Sequence, residues 1–260
     1  MKTNHITIIK FGGSIITDKS KPYTPNLPII KRLISEIKKV GIPVIVVHGQ
    51  GSFAHTSAKK YGGKKGYSSL WGIAKVFRDA MEMNRIVMDA FMDAKLPAVS
   101  FRPNSLFMAK SGKIFTHNLE VISEALRQGL TPVLYGDVIM DKTWKTTIFS
   151  GETSTYHLVN FLSKKKIKVD KIIQVGATDG IYDNNNKTIR NITTNNYEEI
   201  KNYLFEAKTT DVTGGMRHKV EEAILVAKKG VATYIINGSR KGELSKLLMS
   251  KSTQLMTCIK

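Results

Sequence analysis

The chain has 260 residues, with 40 Lys+Arg against 21 Asp+Glu for a formal charge of +19, and a single cysteine, Cys258, which excludes an internal disulfide framework and suits a reducing, cytoplasmic setting. A chain this long buries a substantial core unaided, and no apolar run is long enough to span a bilayer or to form a signal-peptide core, so no membrane role is expected. The positive charge lies mostly on lysines scattered at expected helix ends and loops, without a nucleic-acid-binding signature, so dedicated nucleic-acid binding is not expected either.

In chain order, a β-rich apolar run at Ile6–Lys10 leads into the turn Phe11-Gly12-Gly13-Ser14, and a helical pattern follows over Asn26–Lys39. A second strand is predicted at Pro43–Val47. It runs into His48-Gly49-Gln50-Gly51-Ser52-Phe53-Ala54-His55, which opens a helix. A long helical pattern spans Leu70–Ala94, and its Met81, Met83, Met88 and Met92 are placed to line a hydrocarbon pocket, a core or a dimer surface. Strands at Pro97–Phe101 and Pro132–Tyr135 flank a helix at Leu119–Gln128, and the second ends in Gly136-Asp137. A helix at Thr153–Lys164 precedes the strand Lys171–Val175, which ends in Gly176-Ala177. Asp183–Lys187 reads as an exposed turn. The pair Gly214-Gly215 then opens a helix over Met216–Lys229 that carries Lys219, and Ala232–Ile236 is the last predicted strand.

Strands that alternate with helices pair in parallel through crossovers, so the sheet is buried between helical layers. The predicted fold is a three-layer α/β/α sandwich around an open, mostly parallel sheet. It is read as one domain over 1–260, with lobes of about 1–145 and 146–260. Ligands in such sheets bind at the carboxyl ends of the strands, and the turns at Gly12, Gly49, Gly136 and Gly176 all fall there.

The glycine turns read as anion cradles, because unpaired N–H groups at a helix start carry partial positive charge and glycine leaves them accessible. Two standard phosphate motifs are excluded. The run Gly13–Ser20 nearly spells a Walker A loop, but Asp18 stands where that loop requires glycine. Gly49–Ala54 fits a dinucleotide fingerprint in letters, but the acidic residue expected on a following strand is missing.

Taken together, Ile9–Lys19, His48–His55, Gly136-Asp137-Val138 with Phe149-Ser150-Gly151, and Asp211-Val212-Thr213-Gly214-Gly215-Met216 resemble the amino acid kinase superfamily and, within it, the isopentenyl phosphate kinase family. The resemblance covers most of the chain. It implies an amino acid kinase-like sheet of about eight strands, ATP with Mg²⁺ in the C-terminal lobe, a small phosphorylated acceptor in the N-terminal lobe, and a homodimer.

Carried over by resemblance, Lys10 contacts the donor phosphates, Lys19 approaches the transferred group and Lys219 holds ATP from the other lobe. Gly12, Gly13, Gly176, Asp179, Gly180 and Gly215 belong to the nucleotide side. Gly49, Gln50, Gly51, His55 and Gly151 surround the acceptor, with His55 on its phosphate. Asp137 shapes the floor between the reactants, and Glu152 stands where the family's aspartate organises the lysines. No metal ligands of the protein's own are assigned. Plainer alternatives stay open: Lys19 and Lys219 as solvated lysines, His55 as a surface imidazole, Asp137 as a turn brace. Gln50, Ala54, Glu152 and the Gly176–Gly180 loop depart from the family pattern. These departures leave open another phosphate or phosphonate acceptor, as in fosfomycin kinase, or a ligand-binding relative impaired in catalysis.

Overall fold

The computed structural model describes residues 5–63, 66–67, 69–206, 215–251, 253 and 255–260. The sequence features Lys64-Lys65, Asp211-Val212-Thr213-Gly214, Ser252 and Gln254 lie outside them.

Strand β1 (His5–Phe11) ends in the short helix α1 (Gly13–Ile16), followed by α2 (Leu27–Val40), β2 (Val44–His48), α3 (Ala54–Tyr61) and α4 (Leu70–Asp93). Helix α2 has the expected punctuation. The Asn26 side chain accepts from Ile29 N, Pro28 sits in the first turn, and Gly41 closes the helix at φ +67°. Ser69 caps α4 in the same way, through Gly72 N.

One eight-stranded sheet organises the molecule, in the order Asn191–Ile192, Thr257–Ile259, Ala232–Asn237, Lys168–Gly176, β1, β2, Thr131–Tyr135 and Ala98–Ser100. All neighbours are parallel except the antiparallel pair of Ala232–Asn237 with Thr257–Ile259. The first half of the chain thus supplies one side of the sheet and the second half the other, with β1 against Lys168–Gly176 at the junction. Alternate residues of β1 enter different layers: Ile9 and Phe11 pack with α2 and α4, Ile6 and Ile8 with the Gly151–Lys164 helix. A strand buried on both faces explains why β1 reads as an unbroken apolar run.

A second, four-stranded sheet was not expected. The hairpin Asp137–Asp141/Lys145–Phe149 joins the hairpin Phe107–Lys110/Lys113–His117 through a parallel contact between Ala109 and Asp141. Asp141 closes both turns, accepting from the N–H groups of Ser111, Gly112, Thr143 and Trp144.

Candidate active site

The site is built from the ends of β1 and β2. Lys10 lies near the carboxyl end of β1 with 5% exposure, and its ammonium forms an ion pair with Glu152, itself 8% exposed. Glu152 stands in the first turn of the Gly151–Lys164 helix, where the helix dipole favours a carboxylate and Ser150 caps the turn through Thr153 N at 3.0 Å. Burial alone would raise the Glu152 pKa. The charges of Lys10 and Lys219, with the Lys10 hydrogen bond, outweigh it and hold the carboxyl at about 2. Lys10 therefore pairs with this carboxylate, and the Lys219 charge reaches it. Gly151 makes room for this, since a Cβ there would sit 3.2 Å from both Lys10 Cε and Val47 Cγ1.

Lys219 lies on the Gly215–Ala227 helix, which is docked by contacts that sequence reasoning missed. His218 Nε2 is 2.9 Å from Ser150 Oγ, and Thr153 Oγ1 donates to Glu222 at 3.4 Å. Both contacts land on the capping turn that presents Glu152. The sequence signal was the i, i+4 pair His218 and Glu222 flanking Lys219.

The two glycine loops lean on each other. Gly12 N bonds Val175 O and Gly49 N bonds Phe11 O, each at 2.8 Å, so both chains leave the sheet in register. A Cβ on Gly13 would lie 2.5 Å from Gly51 N, and one on Gly49 would lie 2.6 Å from Gly13 N. Gly51 also adopts φ +49°. Loop-on-loop contact is thus itself a sufficient reason for three of these glycines, beside the accessible amides that a phosphate would use. Gly176 differs, for a Cβ there meets nothing within 4 Å.

Gln50 is buried, and its Nε2 donates to Gly136 O at 2.7 Å while its Oε1 has no protein partner. Next to it, Asp137 accepts from Val138 N at 2.9 Å through Oδ1, and its Oδ2 is also buried without a partner. Burial pushes the Asp137 carboxyl up to about 8, against smaller downward effects of Val138 N–H and Arg102. Burial and the Asp137 charge raise Tyr67 to about 12. His48 is fully buried, its Nδ1 bonded to Gly49 O at 3.0 Å and its ring stacked on Tyr135 at 5.5 Å, so it braces the loop. Burial lowers its pKa and favours the neutral ring.

Lys19 and His55 are both exposed, on the segment after α1 and in the first turn of α3. The segments that carry them are tied together through Ser52. Ser52 N donates to Thr17 Oγ1 at 3.0 Å, Tyr23 N to Ser52 O at 3.1 Å and Thr24 N to Ser52 Oγ at 3.1 Å.

Asp179 belongs to a separate anchor at the other half of the sheet. Arg240 grips both its oxygens at 2.7 and 2.8 Å and Asn237 Nδ2 donates at 3.1 Å, which keeps its carboxyl below the usual range. Gly180, at φ +126°, lets the turn pass close to Thr257. Asp179 also borders an open pocket of about 590 Å³ with Tyr182, Lys187 and Arg190 on its wall. Among the described residues, no three His, Cys, Asp or Glu side chains converge as a metal cage, and no helix is long and apolar enough to cross a membrane.

The sequence pattern of the amino acid kinase family matches residues 5–237. The chain is 32% identical to an isopentenyl phosphate kinase of Methanocaldococcus jannaschii, over 95% of this chain and 96% of that protein. It is 30% identical to the isopentenyl phosphate kinase of Methanothermobacter thermautotrophicus over the same shares. An X-ray structure of isopentenyl phosphate kinase superposes with a TM-score of 0.81 at 27% identity, covering 98% of this chain and 100% of that one.

Proposed function

The chain belongs to the amino acid kinase family, and on that premise we propose that it transfers the terminal phosphoryl group of ATP to isopentenyl phosphate, giving the diphosphate. The observation that carries this reading is the buried Lys10–Glu152 ion pair, within reach of the Lys219 charge and beside two interlocked glycine loops.

A phosphate monoester loses its second proton near pH 6, so its oxygen is already a nucleophile at neutral pH and no general base is required. Repulsion is the obstacle. Two unit charges about 4 Å apart cost about 1 kcal/mol in water and about 4 kcal/mol at an effective dielectric of 20, and the reactants bring several. Lys10 and Lys219 would hold the donor phosphates and Lys19 the group in transit. His55 would donate a hydrogen bond to the acceptor phosphate, backed by the amides of Gly49 and Gly51. Glu152 aims the Lys10 ammonium and attracts that of Lys219, so catalysis is in-line positioning plus charge stabilisation.

The site suits a nucleotide. It offers the buried Lys10 ammonium, the nearby Lys219 charge and open space above Gly176. With no cage among the described residues, the fit for Mg²⁺ is an ion carried in by the phosphates, where it would neutralise part of their charge. The homodimer expected of the family has exposed Met108, Met140 and Ile148, on adjoining strands of the smaller sheet, as candidate contact residues.

One observation favours a second acceptor. The unpartnered Gln50 Oε1 beside the acceptor turn is a hydrogen-bond acceptor that a purely apolar tail leaves unused, and a polar acceptor substrate carrying an O–H or N–H donor would engage it. A panel decides: purified protein and Mg-ATP with isopentenyl phosphate, dimethylallyl phosphate or fosfomycin, read by phosphorus NMR. Diphosphate from the first two is expected. Selective turnover of fosfomycin would shift the assignment, and ATP binding without transfer to any of them would overturn it.

A further inference from the structure

The buried stripe of α4 runs through Ile73, Val76, Ala80, Met83 and Val87, and one position in it is not apolar. Asp79 has 0% exposure. A carboxylate in that place is costly unless it is compensated, and three groups compensate it, the outermost being Arg78, whose Nη1 lies 3.6 Å from Oδ1. Lys75, one turn earlier, forms an ion pair with Oδ1, and the Tyr23 hydroxyl donates to Oδ2 at 2.9 Å. Lys75 Nζ is also 3.1 Å from the Tyr23 hydroxyl and 4.9 Å from the centre of its ring.

Tyr23 is an unusual residue to find on the other side of this contact. Its φ is +52°, a region that a bulky side chain occupies only when its surroundings impose it. It lies in the segment between α1 and α2 that carries Lys19. That segment folds back on itself through the Thr17–Pro25 bridge and Asp18 N to Thr24 O at 2.9 Å. None of its residues from 17 to 26 is part of the buried apolar core, which the segment meets only from outside. Its attachments go instead to the acceptor turn: Tyr23 N to Ser52 O, Thr24 N to Ser52 Oγ, Ser52 N to Thr17 Oγ1, and the edge of the Tyr23 ring on Phe53 at 5.7 Å. A buried charge that anchors a segment outside the core acts on position.

We propose that Tyr23, Asp79 and Lys75 form a latch that fixes the Lys19 segment between α4 and the acceptor turn. Tyr23 and Asp79 are positioning residues for Lys19 and touch neither reactant. The inference rests on Lys19 acting at the transferred phosphoryl group.

Tyr23→Phe tests it, because this change keeps the ring and its contact with Phe53 and removes one hydroxyl. Turnover of isopentenyl phosphate with Mg-ATP should fall about tenfold, while KM for both substrates stays within about twofold and Tm falls by only a few degrees, the effect of one lost hydrogen bond to a buried carboxylate. Asp79→Asn should act in the same direction, and the double variant should be no slower than the slower single, since both break one unit. In a Lys19→Ala background, Tyr23→Phe should have no further effect on kcat. A tenfold loss that persists in that background, or a change confined to Tm, overturns the latch. If Lys19→Ala lowers kcat and Tyr23→Phe does not, the latch alone fails. If Lys19→Ala leaves kcat intact, the reading of Lys19 fails and the latch with it.

Discussion

Replacing Glu152 by glutamine keeps the shape of the side chain and removes one charge from the centre of the site. The consequences follow from its two lysine neighbours. Glu152 and Lys10 side chains are only 9% and 6% exposed, so the ammonium left behind has little water to replace its partner. Breaking a buried pair from one side costs about 3–5 kcal/mol, which for a chain of this size lowers Tm by on the order of 10 °C. Binding moves the other way. At an effective dielectric near 20, removing a carboxylate about 8 Å from a phosphate charge relieves about 2 kcal/mol of repulsion, so Mg-ATP should bind on the order of tenfold more tightly. Turnover should nevertheless fall on the order of a hundredfold, because Lys10 loses the partner that aims it and Lys219 loses a nearby opposite charge. Thermal melting with and without Mg-ATP, beside steady-state kinetics, reads all three effects. The nucleotide should raise Tm more in Glu152→Gln than in the parent. A Tm within roughly one degree of the parent, together with unchanged nucleotide affinity, would refute the claim that Glu152 organises the lysines.

Further substitutions separate the roles. His55→Ala should lower kcat/KM for the acceptor about tenfold or more while ATP affinity is nearly kept, whereas Lys10→Ala should act chiefly on kcat; initial rates with each substrate varied in turn distinguish them, and the reverse pattern would exchange the assigned halves. Gly51→Ala forces an L residue to φ +49° with its Cβ 2.6 Å from Gly13 O, so it should destabilise by at least about 1–2 kcal/mol and raise the acceptor KM. Asp137→Asn tests the raised carboxyl. The unfolded chain ionises this group near 3.8 and the native protein only near 8, so unfolding releases a proton between those values and native stability declines as pH rises through that window. Asparagine lacks this slope. The variant's Tm relative to the parent should therefore improve from pH 5 to pH 8.5, and a difference that stays flat contradicts the assignment.

The main sheet was legible because each of its long strands is buried on both faces and reads as an unbroken apolar run between glycine turns, as Ile6–Lys10 and Pro43–Val47 do. The smaller sheet was less so. Its signals were present in the Ser111-Gly112 turn and the alternation around Asp141–Lys145, but short half-exposed strands carry few apolar residues each, and Phe107–His117 lies between two helices that dominate the pattern. The antiparallel strand Thr257–Ile259 is only three residues long and offers no period to read. In the candidate site, Lys10, Glu152 and Lys219 stood out in the sequence by their places beside glycine turns, and the structure pairs the first two. Residues that act through others did not stand out. Ser150 and His218 meet across 68 positions, and Tyr23 and Asp79 across 56, so only the fold makes either pair visible. Nor could the sequence reveal why Gly13, Gly49 and Gly51 are bare, since loop contact and phosphate contact demand the same residue.

The central claim is that three ammonium groups make the approach of two anionic reactants tolerable. A crystal structure with isopentenyl phosphate and a non-hydrolysable ATP analogue tests it most directly. The account predicts Nζ of Lys10, Lys19 and Lys219 within about 4 Å of phosphate oxygens, flanking a shared line between donor and acceptor. Phosphates bound elsewhere, or two of these side chains turned to bulk solvent in the ternary complex, would contradict it.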